Sequence, residues 1–137
     1  MYEDLIIQAP ATPANQTNGG GDNTLFESLL WQESRGKQLN ADGTPVTSKK
    51  GAIGIAQVMP GTAREAAKLA GLDYDDFRHR TDSDYNRQIG KAYFDKQFAD
   101  FGDEGKALAA YNAGPGAMRN AQRMAEKAGR PDEWLRY

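Results

Sequence analysis

Short segments with helical periodicity, most of them closed by glycine or proline, recur from residue 24 to the end of the chain. Within these segments, apolar residues return every three or four positions, which is the spacing of one face of an α-helix. The predicted helices cover residues 24–36, 62–71, 83–100, 104–111 and 117–128. The stretch 44–47 favours a small β-excursion. The pattern predicts a mainly α, compact helical domain with at most this trace of sheet.

Two predictions concern the middle of the chain. A capping box, Thr62 followed three residues later by Glu65, predicts that a helix starts at Thr62. The acidic segment 72–82 is predicted to be irregular. It holds His79, the only histidine, between two arginines. A solvated loop residue is the expected role for His79, rather than a ligand.

Composition narrows the class of protein. The 137 residues suffice for one domain, and contents of 39% hydrophobic and 26% charged residues are typical of globular proteins. The net charge of -2 gives no sign of a nucleic-acid partner. The absence of cysteine excludes disulfides, thiol chemistry and cysteine-ligated zinc. No apolar run approaches the roughly 20 residues that span a membrane.

Residues 1–23 differ in composition from the rest of the chain. They are rich in proline, threonine and asparagine and end near three consecutive glycines, a composition that buries too little to offset the entropy of ordering. We predict a flexible leader over 1–23 and one folded domain over 24–137. The start of the chain also lacks the basic and apolar regions of a secretion signal.

A carboxylate interrupts the apolar face of the first predicted helix. Counting from Phe26 by three, four and seven residues reaches Leu29, Leu30 and Glu33. Carboxylates are rarely buried without a partner, and no basic residue lies one turn back on this face. A carboxyl group in apolar surroundings has a raised pKa, so it can hold a proton near neutral pH, as a general acid must. Taken alone, such a glutamate is more often an exposed helix end.

Two later segments place polar side chains among glycines. Residues 51–63 read Gly-Ala-Ile-Gly-Ile-Ala-Gln-Val-Met-Pro-Gly-Thr-Ala, with the amide of Gln57 among apolar neighbours. Residues 110–116 read Ala-Tyr-Asn-Ala-Gly-Pro-Gly, at the end of a predicted helix. Amide, phenol and carboxyl groups on helix ends and loops supply the donors, acceptors and aromatic face of a sugar-binding cleft. Each residue alone also fits a plain structural role.

The order and spelling of these segments, with Glu-Ser at residues 33 and 34 before them, closely resembles the soluble lytic transglycosylase family. The resemblance covers residues 24–120 and implies a goose-type-lysozyme-like fold. By this likeness Glu33 is the catalytic acid and base, and five residues bind the substrate. These are Ser34, Gln57, Met59, Tyr111 and Asn112. Ala56 departs from the family, which usually has a larger Met or Leu there, and is expected to widen the cleft.

The resemblance implies a reaction that one carboxyl group can perform. Protonated Glu33 protonates the β-1,4 glycosidic oxygen between N-acetylmuramic acid and N-acetylglucosamine, and the muramic acetamido carbonyl stabilises the positive charge. Glu33 then takes the proton of the C6 hydroxyl, which closes a 1,6-anhydro ring without water. Most glycosidases need two carboxylates, and the sequence offers no convincing second one. No cofactor and no metal are implied.

The implied partner is the glycan strand of peptidoglycan, with no nucleic acid and no membrane span. Without a secretion signal, we expect a phage virion protein that acts in the host periplasm or cell wall during DNA entry, beside other virion proteins. A bacterial protein exported by a non-classical route is the alternative. The chain stops at residues 132–137, short of a segment common in the family, so we expect a piece of a longer polypeptide.

Two other functions are compatible with the same sequence. A hydrolase of goose-lysozyme type would need a second carboxylate to position water, and Asp42 and Asp95 are poor candidates. A glycan-binding or virion-structural module would bind without cleaving. The products distinguish the three functions. A transglycosylase leaves anhydro ends, a hydrolase leaves reducing ends, and a binding module leaves the glycan uncleaved.

Overall fold

The computed structural model describes residues 23–137, with side chains from residue 24 onward. The predicted leader, apart from residue 23, lies outside the described residues. The described helices are α1 (Asn23–Ser34), α2 (Pro60–Leu69), α3 (Asp76–Thr81), α4 (Ser83–Phe101), α5 (Glu104–Ala113) and α6 (Pro115–Lys127), with a short 3-10 turn at Trp134–Arg136. The prediction of a mainly α chain is confirmed. No helix in this part of the chain has the length and apolarity needed to cross a bilayer.

The β-structure between α1 and α2 consists of isolated antiparallel bridges. They join Leu39 with Pro45, and Ile53 with both Thr47 and Val58. The predicted β-excursion at 44–47 is therefore confirmed. It folds the chain into a small loop region that returns to the start of α2.

The start of α2 differs from the prediction. The helix begins at Pro60, two residues before Thr62, and the preceding Met59 makes no side-chain capping bond. Proline suits the first turn because it has no N–H to leave unpaired and its φ is already helical. The capping box predicted at Thr62 is therefore wrong.

The segment predicted to be irregular contains α3. Asp75 accepts a hydrogen bond from the Arg78 N–H at 3.1 Å and so caps the start of this helix. Two exposed ion pairs at helical spacing, Arg80 with Asp76 and Arg78 with Asp82, follow its surface. The aspartates that suggested a loop are therefore capping and pairing residues of a short helix.

His79 is buried, which contradicts its predicted place in a solvated loop. It is 0% exposed, because α3 turns this residue inward while the flanking arginines stay in water. Its Nδ1 shares a 2.8 Å hydrogen bond with the Tyr74 hydroxyl. Burial lowers the pKa of His79, so the neutral ring is favoured.

The chain divides into two compact units, one reaching to Asp95 and the other running from Lys96 to Tyr137. In the first unit, α1 buries Phe26, Leu29 and Leu30, each at most 2% exposed. The Phe26 ring lies 5.9 Å from that of Phe94. Burying a side chain of this size stabilises a fold by about 2 kcal/mol.

The second unit has its own smaller core. Ala109, Ala110 and Met118 are buried, and Phe101 and Trp134 pack against them. This core lies between α5, which carries Ala109 and Ala110, and α6, which carries Met118.

Candidate active site

Glu33 lies in the last turn of α1, one residue before the helix ends. Its side chain is half-buried, on the face that also carries the buried Phe26, Leu29 and Leu30. Within the described part of the chain, no hydrogen bond or ion pair engages its carboxylate. Desolvation by burial raises the pKa of Glu33 from 4.5 to about 7. Near neutral pH the carboxyl therefore divides between its protonated and ionised forms, so it can either donate or accept a proton.

The helix ends sharply beside this carboxyl. Arg35 has φ of 58° and Gly36 has φ of 74°, so two consecutive residues adopt left-handed backbone. For a residue with a side chain this conformation costs about 1 kcal/mol. The Arg35 N–H bonds the Trp31 carbonyl at 2.8 Å, and its guanidinium lies 5.4 Å from the Trp31 ring centre. These contacts stabilise the turn that leaves Glu33 at the end of a helix.

Ser34 joins this helix end to the loop at 51–59. It is 8% exposed, and its hydroxyl lies 2.7 Å from the Ile55 carbonyl and 3.1 Å from the Leu30 carbonyl. A hydroxyl has one proton, and these carbonyls use it. Contact of Ser34 with the substrate acetamido group stays a prediction. The structure adds a hydrogen bond through which Ser34 links the end of α1 to the loop at 51–59.

Gln57 has a left-handed backbone, with φ of 53°. Its Nε2 donates to the Val46 carbonyl at 3.0 Å and to the Gly54 carbonyl at 2.9 Å. Because both amide protons are used, only the side-chain oxygen of Gln57 remains to bind a ligand, as an acceptor. If Gln57 binds a glycan through its side chain, as predicted, it can do so only by accepting a hydrogen bond.

Met59 and Ala56 differ in exposure. Met59 precedes α2, is 41% exposed, and its Cε approaches Gly51, so it offers an apolar surface on the loop. Ala56 is 0% exposed. The expectation that its small side chain widens a cleft is wrong, because the side chain belongs to the packed interior.

Tyr111 and Asn112, the other predicted substrate-binding residues, belong to the second unit. They lie in the last turn of α5, where Tyr111 is buried at 7% exposed and Asn112 is exposed. Gly114, with φ of 98°, ends α5, and Pro115 begins α6. The turn predicted after these residues is present. Their contact with substrate stays a prediction.

Two carboxylates weighed as partners for Glu33 are occupied elsewhere. Asp42 is exposed and accepts bonds from the Thr44 hydroxyl at 2.6 Å and N–H at 3.0 Å, which lower the pKa of Asp42. Asp95 pairs with Lys91 at 2.6 Å on the surface of α4. In the described region, no cluster of three or more acidic or histidine side chains could hold a metal ion.

Sequence reasoning missed Gln38 and Asn86. Gln38 lies among polar residues after α1, and Asn86 lies near two aspartates at the start of α4, so neither position looks buried in the sequence. Both are buried and hydrogen-bond the loop at 51–59. Their partners in that loop lie 17 to 33 residues away in the chain, so no local pattern identifies them.

Comparisons with known proteins agree on one family. The chain matches the transglycosylase SLT domain over residues 11–133. The soluble lytic murein transglycosylases of Salmonella typhimurium and Escherichia coli are 37% and 36% identical to it over 98 residues, which is 70% of this chain. A solved structure of an inactive mutant of the lytic transglycosylase Slt from Pseudomonas aeruginosa matches with a TM-score of 0.60 and 31% identity. That match covers 71% of this chain and 15% of the other.

Fold and comparisons define a helical, lysozyme-like domain that carries a glutamate at a helix end. The chain belongs to the transglycosylase SLT domain family. The predicted resemblance and fold class are therefore confirmed. The chain spans about 15% of the length of the curated relatives it matches.

Proposed function

We propose that this chain is a murein lytic transglycosylase whose acid and base is Glu33. The observation that carries the proposal is the Glu33 carboxyl itself, half-buried, without a described partner and with its pKa raised to about 7. A carboxyl with this pKa is matched to both giving and taking a proton near neutral pH. The elements around it, a helix end and a glycine-containing loop, are of the kind on which binding residues are often placed.

The relatives support the substrate. Their names describe them as soluble lytic murein transglycosylases, and the solved relative is inactive as a glutamate-to-glutamine mutant. Such a change removes one ionisable proton and keeps the shape of the side chain. Among the glutamates that the structure describes, Glu33 is the one whose surroundings raise its pKa to about 7 and so give such a proton a chemical use.

The proposed reaction has two steps on one residue. Glu33 first protonates the oxygen between N-acetylmuramic acid and N-acetylglucosamine, so the N-acetylglucosamine leaves as an alcohol. The positive charge at the muramic C1 is stabilised by the acetamido carbonyl of the same sugar. Glu33 then removes the C6 hydroxyl proton, and O6 bonds to C1 to give the 1,6-anhydro sugar. Glu33 ends as it began, protonated.

Internal closure by O6 is favoured over hydrolysis because the candidate water-positioning carboxylates are engaged. Asp42 is bonded within its own turn and Asp95 is paired with Lys91. A hydrolase of goose-lysozyme type would leave reducing ends, and a non-catalytic glycan-binding or virion-structural module would leave the polymer intact.

The cell wall is the proposed place of action, with peptidoglycan strands as the partner. A phage virion that opens the host wall, together with other virion proteins, remains the favoured setting. Export of a bacterial protein by a non-classical route is the alternative.

The test is mass spectrometry of muropeptides released from purified sacculi. We expect anhydro-muropeptides from the wild-type chain and none above background from Glu33→Gln. Glu126→Gln is the matched control, because this glutamate is exposed on α6. Reducing ends would replace the proposal with a hydrolase. Equal release by wild type and Glu33→Gln would remove Glu33 from the mechanism.

A further inference from the structure

Two buried amide side chains hold the loop that Ser34 contacts. Gln38 is 7% exposed and Asn86 is 0% exposed. A buried amide that lacks hydrogen-bond partners destabilises a fold. In this unit both amides use the oxygen and both protons of the side chain, so their geometry is fully determined.

Gln38 links the loop to α3. Its Oε1 accepts the Ile55 N–H at 2.9 Å, and its Nε2 donates to the carbonyls of His79 at 2.9 Å and Arg80 at 3.0 Å. The last carbonyls of a helix have no partner within the helix. Gln38 supplies that partner, and through its bond to the Ile55 N–H it fixes the position of Ile55 relative to α3.

Asn86 makes a parallel link from α4. Its Oδ1 accepts the Ala56 N–H at 2.9 Å, and its Nδ2 donates to the carbonyls of Ile53 at 3.0 Å and His79 at 2.9 Å. The His79 carbonyl thus receives one proton from each amide. The two side chains form a single network around residues 53–56, the amide clamp.

Gly54 passes through the middle of the amide clamp. Its φ is 78°, and a Cβ atom at this residue would lie 2.6 Å from both polar atoms of the Gln38 side chain and collide with the Asn86 Nδ2. No side chain fits there without displacing an amide. The loop is therefore held by close contact on its backbone as well as by burial of side chains such as Ile53 and Ala56.

Ile55 transmits this constraint to α1. Its N–H is held by Gln38 and its carbonyl by the Ser34 hydroxyl at 2.7 Å. We propose that Gln38 and Asn86 are positioning residues for Glu33. Gln38 fixes Ile55 directly, Asn86 fixes the residues on either side of it, and Ile55 fixes the end of α1 that carries the carboxyl. The inference rests on the proposed function only in taking Glu33 as the proton carrier.

The test is a carbon-13 NMR titration of the Glu33 carboxyl in the whole chain. If the amide clamp is loosened, water reaches the carboxyl and its midpoint falls toward that of an ordinary glutamate. We expect Gln38→Ala and Asn86→Ala to lower the midpoint by about one pH unit. The control Gln88→Ala, on an exposed residue of α4, should leave it unchanged. An unchanged midpoint in the folded Gln38→Ala variant would overturn the proposal.

Ser34→Ala tests the link while leaving both amides intact, so it serves if the amide variants fail to fold. It should lower the Glu33 midpoint in the same direction. In the double variant with Gln38→Ala, the shift should be no greater than the larger single shift, because both act through Ile55. Additive shifts, or no shift in Ser34→Ala, would mean that the amide clamp does not act through this path.

The titration separates this inference from the proposed function. It needs no turnover. If the wild-type chain released no muropeptides, the proposed function would be wrong, but the titration would still test whether the two amides position Glu33. In an active chain, the protonated form of Glu33 starts the reaction. The pH at which the rate declines on the alkaline side should therefore shift downward in the Gln38→Ala and Asn86→Ala variants, by as much as the titration midpoint does. A rate decline that stays at the same pH while the midpoint moves would overturn the positioning role.

Discussion

Two glycine-containing segments, residues 51–59 in the first unit and 114–116 in the second, use glycine for different reasons. At Gly54 the backbone is left-handed and two buried amides occupy the space where a side chain would stand. Gly114 also has a positive φ, of 98°, but nothing lies within 4 Å of the place of its missing Cβ. The first segment needs glycine for close approach and for conformation, and the second needs it for conformation alone. The comparison separates a packed loop from an open turn.

The sharpest way to break this comparison is Gly54→Ala. We expect the free energy of unfolding to fall by about 3 kcal/mol, because a strained backbone is combined with broken hydrogen bonds of Gln38 and Asn86. Urea unfolding followed by circular dichroism measures it. Gly43→Ala is the matched control, since Gly43 has φ of 87° and open space around it, and should cost only about 1 kcal/mol. Equal losses would mean that the amide contacts contribute nothing.

Glu33→Gln sharpens the comparison by testing whether water is excluded from the Glu33 carboxyl, which lies beside the packed loop. The folded-state pKa of Glu33 is about 7, above its ordinary 4.5. Between these values the folded chain binds more protons than the unfolded chain, so wild-type stability falls as pH rises. The glutamine variant lacks this dependence.

We therefore expect Glu33→Gln to gain stability relative to wild type by roughly 3 kcal/mol between pH 4 and pH 8. Urea midpoints measured across this range check the prediction. A constant difference between the two proteins would show that the Glu33 carboxyl is hydrated.

Gly114→Ala probes the open turn and should have the smallest cost. An alanine forced to a positive φ between α5 and α6 should lower the free energy of unfolding by about 1 kcal/mol, with no packing penalty. Gly116→Ala is the control, because Gly116 lies in the first turn of α6 in open space and should be neutral or slightly stabilising. A loss at Gly114 as large as at Gly54 would make the two segments alike.

Periodicity was enough to predict the other five α-helices of the described chain and the place of Glu33 on an apolar face, but not α3. A carboxylate on an apolar stripe is visible in the sequence because the stripe and the carboxylate belong to one helix. The short helix α3 was missed because capping aspartates and loop aspartates read alike. The buried His79 was missed for the same reason.

The network around the loop could not be predicted from local patterns. Gln38 and Asn86 contact residues far along the chain, and their burial depends on how α3 and α4 pack. The left-handed Gln57 was equally hidden, since nothing in its neighbours demands that conformation for a residue with a side chain. The sequence motif indicated which loop matters, and the structure shows what holds it.

The amide clamp also has a consequence for how this region opens. The N–H groups of Ile55 and Ala56 are bonded to Gln38 and Asn86, which are both anchored on the His79 carbonyl. Neither N–H can exchange with solvent deuterium through a fluctuation of the loop alone. Breaking its hydrogen bond to Gln38 or Asn86 also disturbs the bond of that side chain to α3. Hydrogen exchange at these two amides and in α3 should therefore proceed at a common rate, as one cooperative substructure.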